Sequence, residues 1–167
     1  MKYFTKEELI RCYREKREDR CDVCRLSHAV KVLPYGYEDN AIELVDQVLD
    51  PARAELGKAI TVHSCFRCPV KNSACKGSAR NSMHLTASAA DVSCGTPDEN
   101  LKLAKIILKQ NKFGQMILYV NHAKSLAPRF IHVSYKKPSR DCNRLLKQIK
   151  GTAGYEVVKP EELENIK

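Results

Sequence analysis

The sequence predicts an α+β domain in which a small antiparallel sheet packs with helices, and three observations carry that reading. Helix-start signals stand at Thr5 with Glu8, Asn40 with Glu43, and Thr96-Pro97 with Glu99. β-prone runs stand at 59–65, 89–94, 114–120 and 129–135. The two kinds of element follow one another without regular βαβ alternation, as α+β domains do.

In order along the chain, Thr5 and Glu8 form a capping box, and Leu9, Ile10 and Tyr13 give a helix running to about Asp19 an apolar stripe. Pro34 and Gly36 make a loop of 33–37. The second helix, from Asn40, buries Ile42, Val45, Leu49 and Leu56, is kinked or restarted at Asp50 by Pro51, and ends at Gly57. Ile60, Val62 and Ser64 alternate with Thr61, His63 and Cys65, as in a half-buried strand with Arg67 at its exit. An irregular stretch from Cys68-Pro69 to Ser78 follows, and 89–94 is a strand that carries Asp91 inside the sheet. Thr96-Pro97-Asp98-Glu99 starts a helix whose core face is Leu101, Ala104, Ile107 and Leu108. The runs 114–120 and 129–135 pair as a hairpin with a longer loop. The tail is expected to hold a short helix at 141–150, an extended segment at 155–158 and a charged end. The organisation expected is a domain over 1–145 and a C-terminal extension over 146–167.

Composition bounds what such a domain does. The chain has 167 residues, 43% of them hydrophobic, enough for one core without a partner, so a monomer is expected. The net charge of +9 favours polyanionic surroundings such as nucleic acid, acidic lipid or cell-wall polymer. No nucleic-acid module is recognisable and Trp is absent, so specific nucleic-acid binding is not expected. No apolar run reaches the length of a signal-peptide core or a membrane span, so synthesis in the cytoplasm and no membrane insertion are expected. Of the 8 cysteines, Cys21-Asp22-Val23-Cys24, with Cys12 and His28 nearby, leaves three states open: a structural zinc, a disulfide, or free thiols.

The chemistry concentrates in Ser82-Met83-His84-Leu85-Thr86-Ala87-Ser88-Ala89-Ala90-Asp91, which sets an imidazole and a carboxylate 7 residues apart. A zinc site with an open position takes three ligands from His, Cys, Asp or Glu and keeps a water whose pKa falls to about 7. His132, in the β-prone run Ile131-His132-Val133-Ser134-Tyr135, is the candidate third ligand. A carboxylate in a run as apolar as Ala89-Ala90-Asp91-Val92 is costly to bury without a metal or a cation. Ser82 has a plain reading as a turn or cap residue beside a functional one.

With those residues in hand, the chain resembles the zinc D-alanyl-D-alanine carboxypeptidases and related peptidoglycan peptidases, the superfamily that shares its fold with the Hedgehog signalling domain, and most closely its short phage versions. The resemblance rests on the Ser82–Asp91 run, on Ile131-His132-Val133-Ser134, and on Ser64-Cys65-Phe66-Arg67. Tyr3 to Leu9, Val48 to Arg53 and Phe113-Gly114-Gln115-Met116-Ile117 extend it over about 1–145. It implies zinc held by His84, Asp91 and His132, with Arg67 acting on the substrate carboxylate or the developing oxyanion and Ser82 lining the substrate site. It also implies stem peptides of peptidoglycan as the partner, and action at the bacterial cell wall after release. The sequence departs from the pattern at Ala87, where the family has Gly, and at Gly114, often Asp. No acid or imidazole stands 3 or 5 residues before His132, where Arg129 and Ala127 are found. By elimination His122 and His63 are the candidates for the acid/base role. The expected function is therefore a zinc peptidase acting on peptidoglycan peptides, with a zinc-containing wall-peptide binding module as the alternative.

Overall fold

The computed structural model describes residues 1–10, 33, 36–135 and 143–166. The expected helix beyond residue 10, the Cys12, Cys21, Cys24 and His28 set, and residues 34 and 35 of the expected 33–37 loop lie outside the described residues. Six strands among the described residues form one sheet: β1 Thr61–Ser64, β2 Ala89–Ser93, β3 Phe113–Val120, β4 Phe130–Tyr135, β5 Arg144–Ile149 and β6 Glu156–Val157. Their order is β1-β2-β4-β3-β5-β6, and every neighbouring pair is antiparallel except β3 with β5, so the sheet is mixed.

Alternation divides the strands between two faces. Ala90, Val92, Met116, Leu118, Ile131, Val133 and Leu145 join the buried core with the helices. The intervening Asp91, Ile117, Tyr119, His132 and Leu146 line a cavity on the other face. Registration aligns Ser64, Asp91, His132, Ile117 and Leu146 as one row across five strands. The β-prone runs therefore decide which side chains the site receives.

The helices hold that sheet from behind. α1 (Lys6–Leu9) carries the expected capping box at Thr5 and Glu8. α2 (Glu38–Leu44) runs through a π-helical stretch, Val45–Leu49, into α3 (Asp50–Leu56). The wider turn lies immediately before Pro51, whose ring and missing N–H disfavour unbroken α-helix at that point. Gly57 closes α3 with φ 68°, a left-handed conformation that glycine adopts without steric cost. Asp50 Oδ1 accepts the Tyr3 N–H at 3.1 Å, and Arg53 Nη1 donates to the Tyr3 carbonyl at 3.0 Å, so α3 anchors the N-terminal segment. α4 (Pro69–Ala74) occupies part of the stretch expected to be irregular, with Cys68 as its cap.

α5 (Pro97–Gln110) starts at the expected Thr96 cap. Its buried face adds Leu103 and Asn100 to Leu101, Ala104 and Ile107, whereas Leu108 is only half-buried. Asn100 is fully buried and fully used: it accepts the Cys94 N–H at 2.7 Å and donates to the carbonyls of Pro128 and Arg129 at 3.0 and 2.9 Å. It thereby ties the end of β2 to the start of β4.

The tail differs from expectation. Residues 144–149 are strand β5, not helix, because Arg144–Ile149 extends alongside Gln115–Val120 and buries Leu145 and Leu146. β5 runs through the position where the domain was expected to give way to an extension. α6 (Pro160–Glu164) then buries Leu163 completely, and Val158 also joins the core.

Candidate metal centre and substrate cleft

A short 3₁₀ turn, Met83–Thr86, delivers His84 to the sheet. Ser82 caps it by accepting the His84 N–H, and Ala87 ends it with φ 54°. Asn40 Nδ2 donates to the Thr86 carbonyl at 2.9 Å, fastening the turn to α2. The exit of β1 is laced to the same turn twice: the Arg67 N–H donates to the His84 carbonyl at 3.0 Å, and His84 Nδ1 lies 2.8 Å from the Cys65 carbonyl. A carbonyl can only accept, so Nδ1 carries the proton and the Nε2 lone pair of the neutral ring is left facing inward.

What that lone pair faces is the centre of the site. His84 Nε2, His132 Nδ1 and Asp91 Oδ1 form a triangle with edges of 3.0, 2.9 and 3.2 Å. Tetrahedral zinc with bonds of about 2.0–2.1 Å separates its ligand atoms by roughly 3.3 Å, so the triangle has nearly the size the metal requires. All three residues are buried, at 1%, 8% and 8% relative exposure for His84, Asp91 and His132. They are the one His, Cys, Asp or Glu cluster of this kind among the described residues. Converging, buried, mostly acceptor atoms fit a divalent cation.

Electrostatics agree with that fit. Burial pushes His84 towards the neutral, ligating form, outweighing the opposing pull of Asp91. Burial would raise the Asp91 pKa, but the neighbouring His132 and His84 imidazoles overcome it and hold the carboxyl below its usual range. Asp91 is thus a carboxylate with its two oxygens divided between tasks. Oδ1 faces the imidazoles, while Oδ2 is paired with the Arg67 guanidinium. Arg67 Nε also donates to Ser64 Oγ at 2.9 Å, so the guanidinium is fixed on two sides. The structure therefore makes Arg67 first a partner of Asp91, in the wall of the cavity.

That cavity measures about 620 Å³ and contains Arg67, Ser82, His84, Asp91 and His132 in its wall. It does not contain the two histidines expected for acid/base work. His122 is exposed on the β3–β4 loop. His63 is exposed at the bulge of β1, where its Nε2 meets Ser93 Oγ at 2.6 Å, and it is absent from the cavity wall. The structure brings neither to the metal centre. Gly114 sits in close quarters: a Cβ there would stand 3.1 Å from both Ser134 Oγ and the Tyr135 carbonyl oxygen, so a side chain at this position would require those neighbours to shift.

The cleft also holds residues that sequence reasoning missed. Tyr119 stacks on Phe130 with ring centroids 4.3 Å apart, and Arg144 and Tyr155 arrive from the tail. Burial, followed by the charges and hydrogen bond of Tyr155 and Asp91, raises the Tyr119 pKa, so its phenol stays protonated and donates. The period of β3 could have found it, since Tyr119 is two residues beyond Ile117 on the cavity face. Of the described cysteines, Cys65, Cys75 and Cys94 are free thiols, and burial followed by the Asp91 charge pushes Cys65 up to about 12, which removes it as a ready ligand or nucleophile.

A family model described as Peptidase M15 matches residues 2–134, which spans α1 into β4 and all three residues of the triangle. No curated protein matches the chain.

Proposed function

The chain belongs to the peptidase M15 family and is a zinc-dependent metallopeptidase, and from that premise we propose that it hydrolyses the stem peptides of bacterial peptidoglycan, as a D-Ala-D-Ala carboxypeptidase or an endolysin-like endopeptidase. The observation that carries the reading is the buried His84–Asp91–His132 triangle opening into a cleft walled by Arg67. The net charge of +9 suits an anionic wall polymer.

Zinc held by His84, Asp91 and His132 supplies a Lewis acid for the scissile carbonyl and an acidified water. The chain's own residues supply the rest. The Cys65 carbonyl fixes the His84 tautomer through Nδ1. Arg67 orients Asp91 through Oδ2 and sets a cation beside the carbonyl, where negative charge grows in the transition state. Tyr119 adds a neutral hydroxyl that donates a hydrogen bond on the same wall. No carboxylate besides Asp91 and no imidazole besides the two ligands lines the cleft among the described residues, so proton transfer falls to these groups and to water. The enzyme made in the cytoplasm acts as a monomer at the cell wall once released.

The test is incubation of zinc-loaded protein with purified muropeptides, with the products weighed. Products heavier by one water in total, arising at one peptide bond, are expected. Muropeptides left intact across a pH series, while an unrelated peptide is cut, would remove the peptidoglycan assignment.

A further inference from the structure

The matched region ends at residue 134, yet the cleft does not. β5 contributes Arg144 and Leu146 to the wall, and the β5–β6 turn contributes Tyr155. Resting on the peptidase reading above, we propose that Arg144 binds a second carboxylate of the substrate, at a subsite built by the tail strands and separate from the Arg67 position.

Register places this subsite. Leu146 is level with Ile117, which is level with His132, and Arg144 lies two residues back along β5, level with Gln115. Two strand spacings of about 4.8 Å and two residues of about 3.3 Å put the Arg144 Cα roughly 12 Å from that of His132. An extended peptide advances about 3.5 Å per residue, so the guanidinium reaches a carboxylate roughly two or three residues from the scissile bond.

Charge assigns the ligand's sign. Arg67, Lys76 and Arg144 line the cleft, against Asp91 as its one carboxylate among the described residues, and Asp91 is already engaged by Arg67 and the imidazoles. On the opposite face of β5, Lys147 is neutralised by Glu156 at 3.0 Å. Arg144 pairs with no carboxylate among the described residues and is exposed, so its fork of donors is offered to the cleft. Tyr155, joined by hydrogen bond to Tyr119, bounds the space between the two strands.

The probe is a pair of pentapeptides, L-Ala-γ-D-Glu-L-Lys-D-Ala-D-Ala, in which the D-Glu is joined to Lys through its γ-carboxyl, and the same peptide with the free D-Glu α-carboxylate amidated. Binding of each to the full zinc-loaded chain is read by calorimetry, independently of turnover. The wild type is expected to bind the acid about tenfold or more tightly than the amide, as one charge-assisted hydrogen-bonded pair provides. Arg144→Ala is expected to erase that ratio and Arg144→Lys to restore part of it, with circular dichroism unchanged. Equal affinity of wild type for both peptides, no binding of either, or an unchanged ratio in Arg144→Ala overturns the subsite. Discrimination in binding without any hydrolysis overturns the peptidoglycan peptidase reading and leaves the subsite standing.

Discussion

The two walls of the cleft are built on opposite plans. On the metal side, β1, the 3₁₀ turn, β2 and β4 bury their polar groups and tie each of them to a neighbour: His84 to Cys65 and Asp91, Asp91 to Arg67, Arg67 to Ser64. On the tail side, β5 and β6 offer exposed groups, Arg144 and the half-exposed Tyr155, on a short strand pair at the sheet edge. A metal needs ligands fixed in advance, because any freedom they retain must be lost on binding. A surface that reads a substrate has no such need, and here it lies outside the stretch that identifies the family.

Removing one ligand breaks the contrast most severely. His84→Ala is expected to leave the protein nearly free of zinc by metal analysis and to lower hydrolysis by at least about a thousandfold, since several kcal/mol of charge stabilisation go with the metal. Retention of zinc in His84→Ala would show that the triangle is not the metal site.

Arg67 belongs to the rigid wall but faces the cleft, so its substitution sharpens the comparison. Lysine keeps the charge and loses the fork that holds Asp91 Oδ2 and Ser64 together. Arg67→Lys is expected to weaken zinc by about ten- to a hundredfold, as loss of a ligand's partner does, and to reduce kcat/KM by roughly 10²-fold or more. Zinc affinity equal to wild type would limit Arg67 to the substrate.

The same two walls explain what was legible in the sequence. The rigid wall follows largely from local rules: alternation put Asp91 and His132 on the cavity face of their strands, and a cap at Ser82 set the turn, whereas Ser64 joins that row only through the bulge in β1. β5 was read as helix because Arg144-Leu145-Leu146-Lys147-Gln148-Ile149 is made of good helix formers, with apolar residues at one helical spacing. Pairing with β3 overrides that preference, and such a nonlocal partner leaves no local signature. Arg144 is illegible for the same reason, since its place in the cleft depends on that pairing, whereas the period of β3 alone puts Tyr119 on the cavity face. His122 and His63 are candidates by their chemistry and chain proximity alone, and the exposed β3–β4 loop and the exposed bulge of β1 keep them out of the cavity wall.

A milder disturbance of the rigid wall is acid. His84 has a depressed pKa in the folded chain, so below the ordinary value of about 6.5 the unfolded chain binds more protons and stability falls with pH. Asp91, also depressed, contributes stability above about 3.9 that is lost only as pH drops through lower values. Thermal melts of zinc-free protein are therefore expected to show Tm declining from pH 7 to 5 and again below pH 4. A flat profile between pH 7 and 5 would mean that the buried neutral imidazole does not resist protonation.

Ala87 offers the smallest and most discriminating change. Its φ of 54° costs a residue with a Cβ about 1–2 kcal/mol, which Ala87→Gly relieves. Against that, the substitution removes a fully buried methyl worth about 0.8 kcal/mol and frees the unfolded chain by up to about 1 kcal/mol. The opposing effects nearly cancel, so unfolding free energy from denaturant titration is expected to stay within about 1 kcal/mol of wild type. Zinc affinity is expected to move by only a few-fold, because other bonds already determine the turn. The Ser88 N–H donates to the Met83 carbonyl at 3.0 Å, the Thr86 and Ser88 hydroxyls meet at 3.1 Å, and Asn40 holds Thr86 from α2. A structure determined this many times over holds an alanine in left-handed backbone. A large gain in zinc affinity in Ala87→Gly would mean instead that strain in the turn displaces His84, and that the metal wall is less rigid than its hydrogen bonds imply.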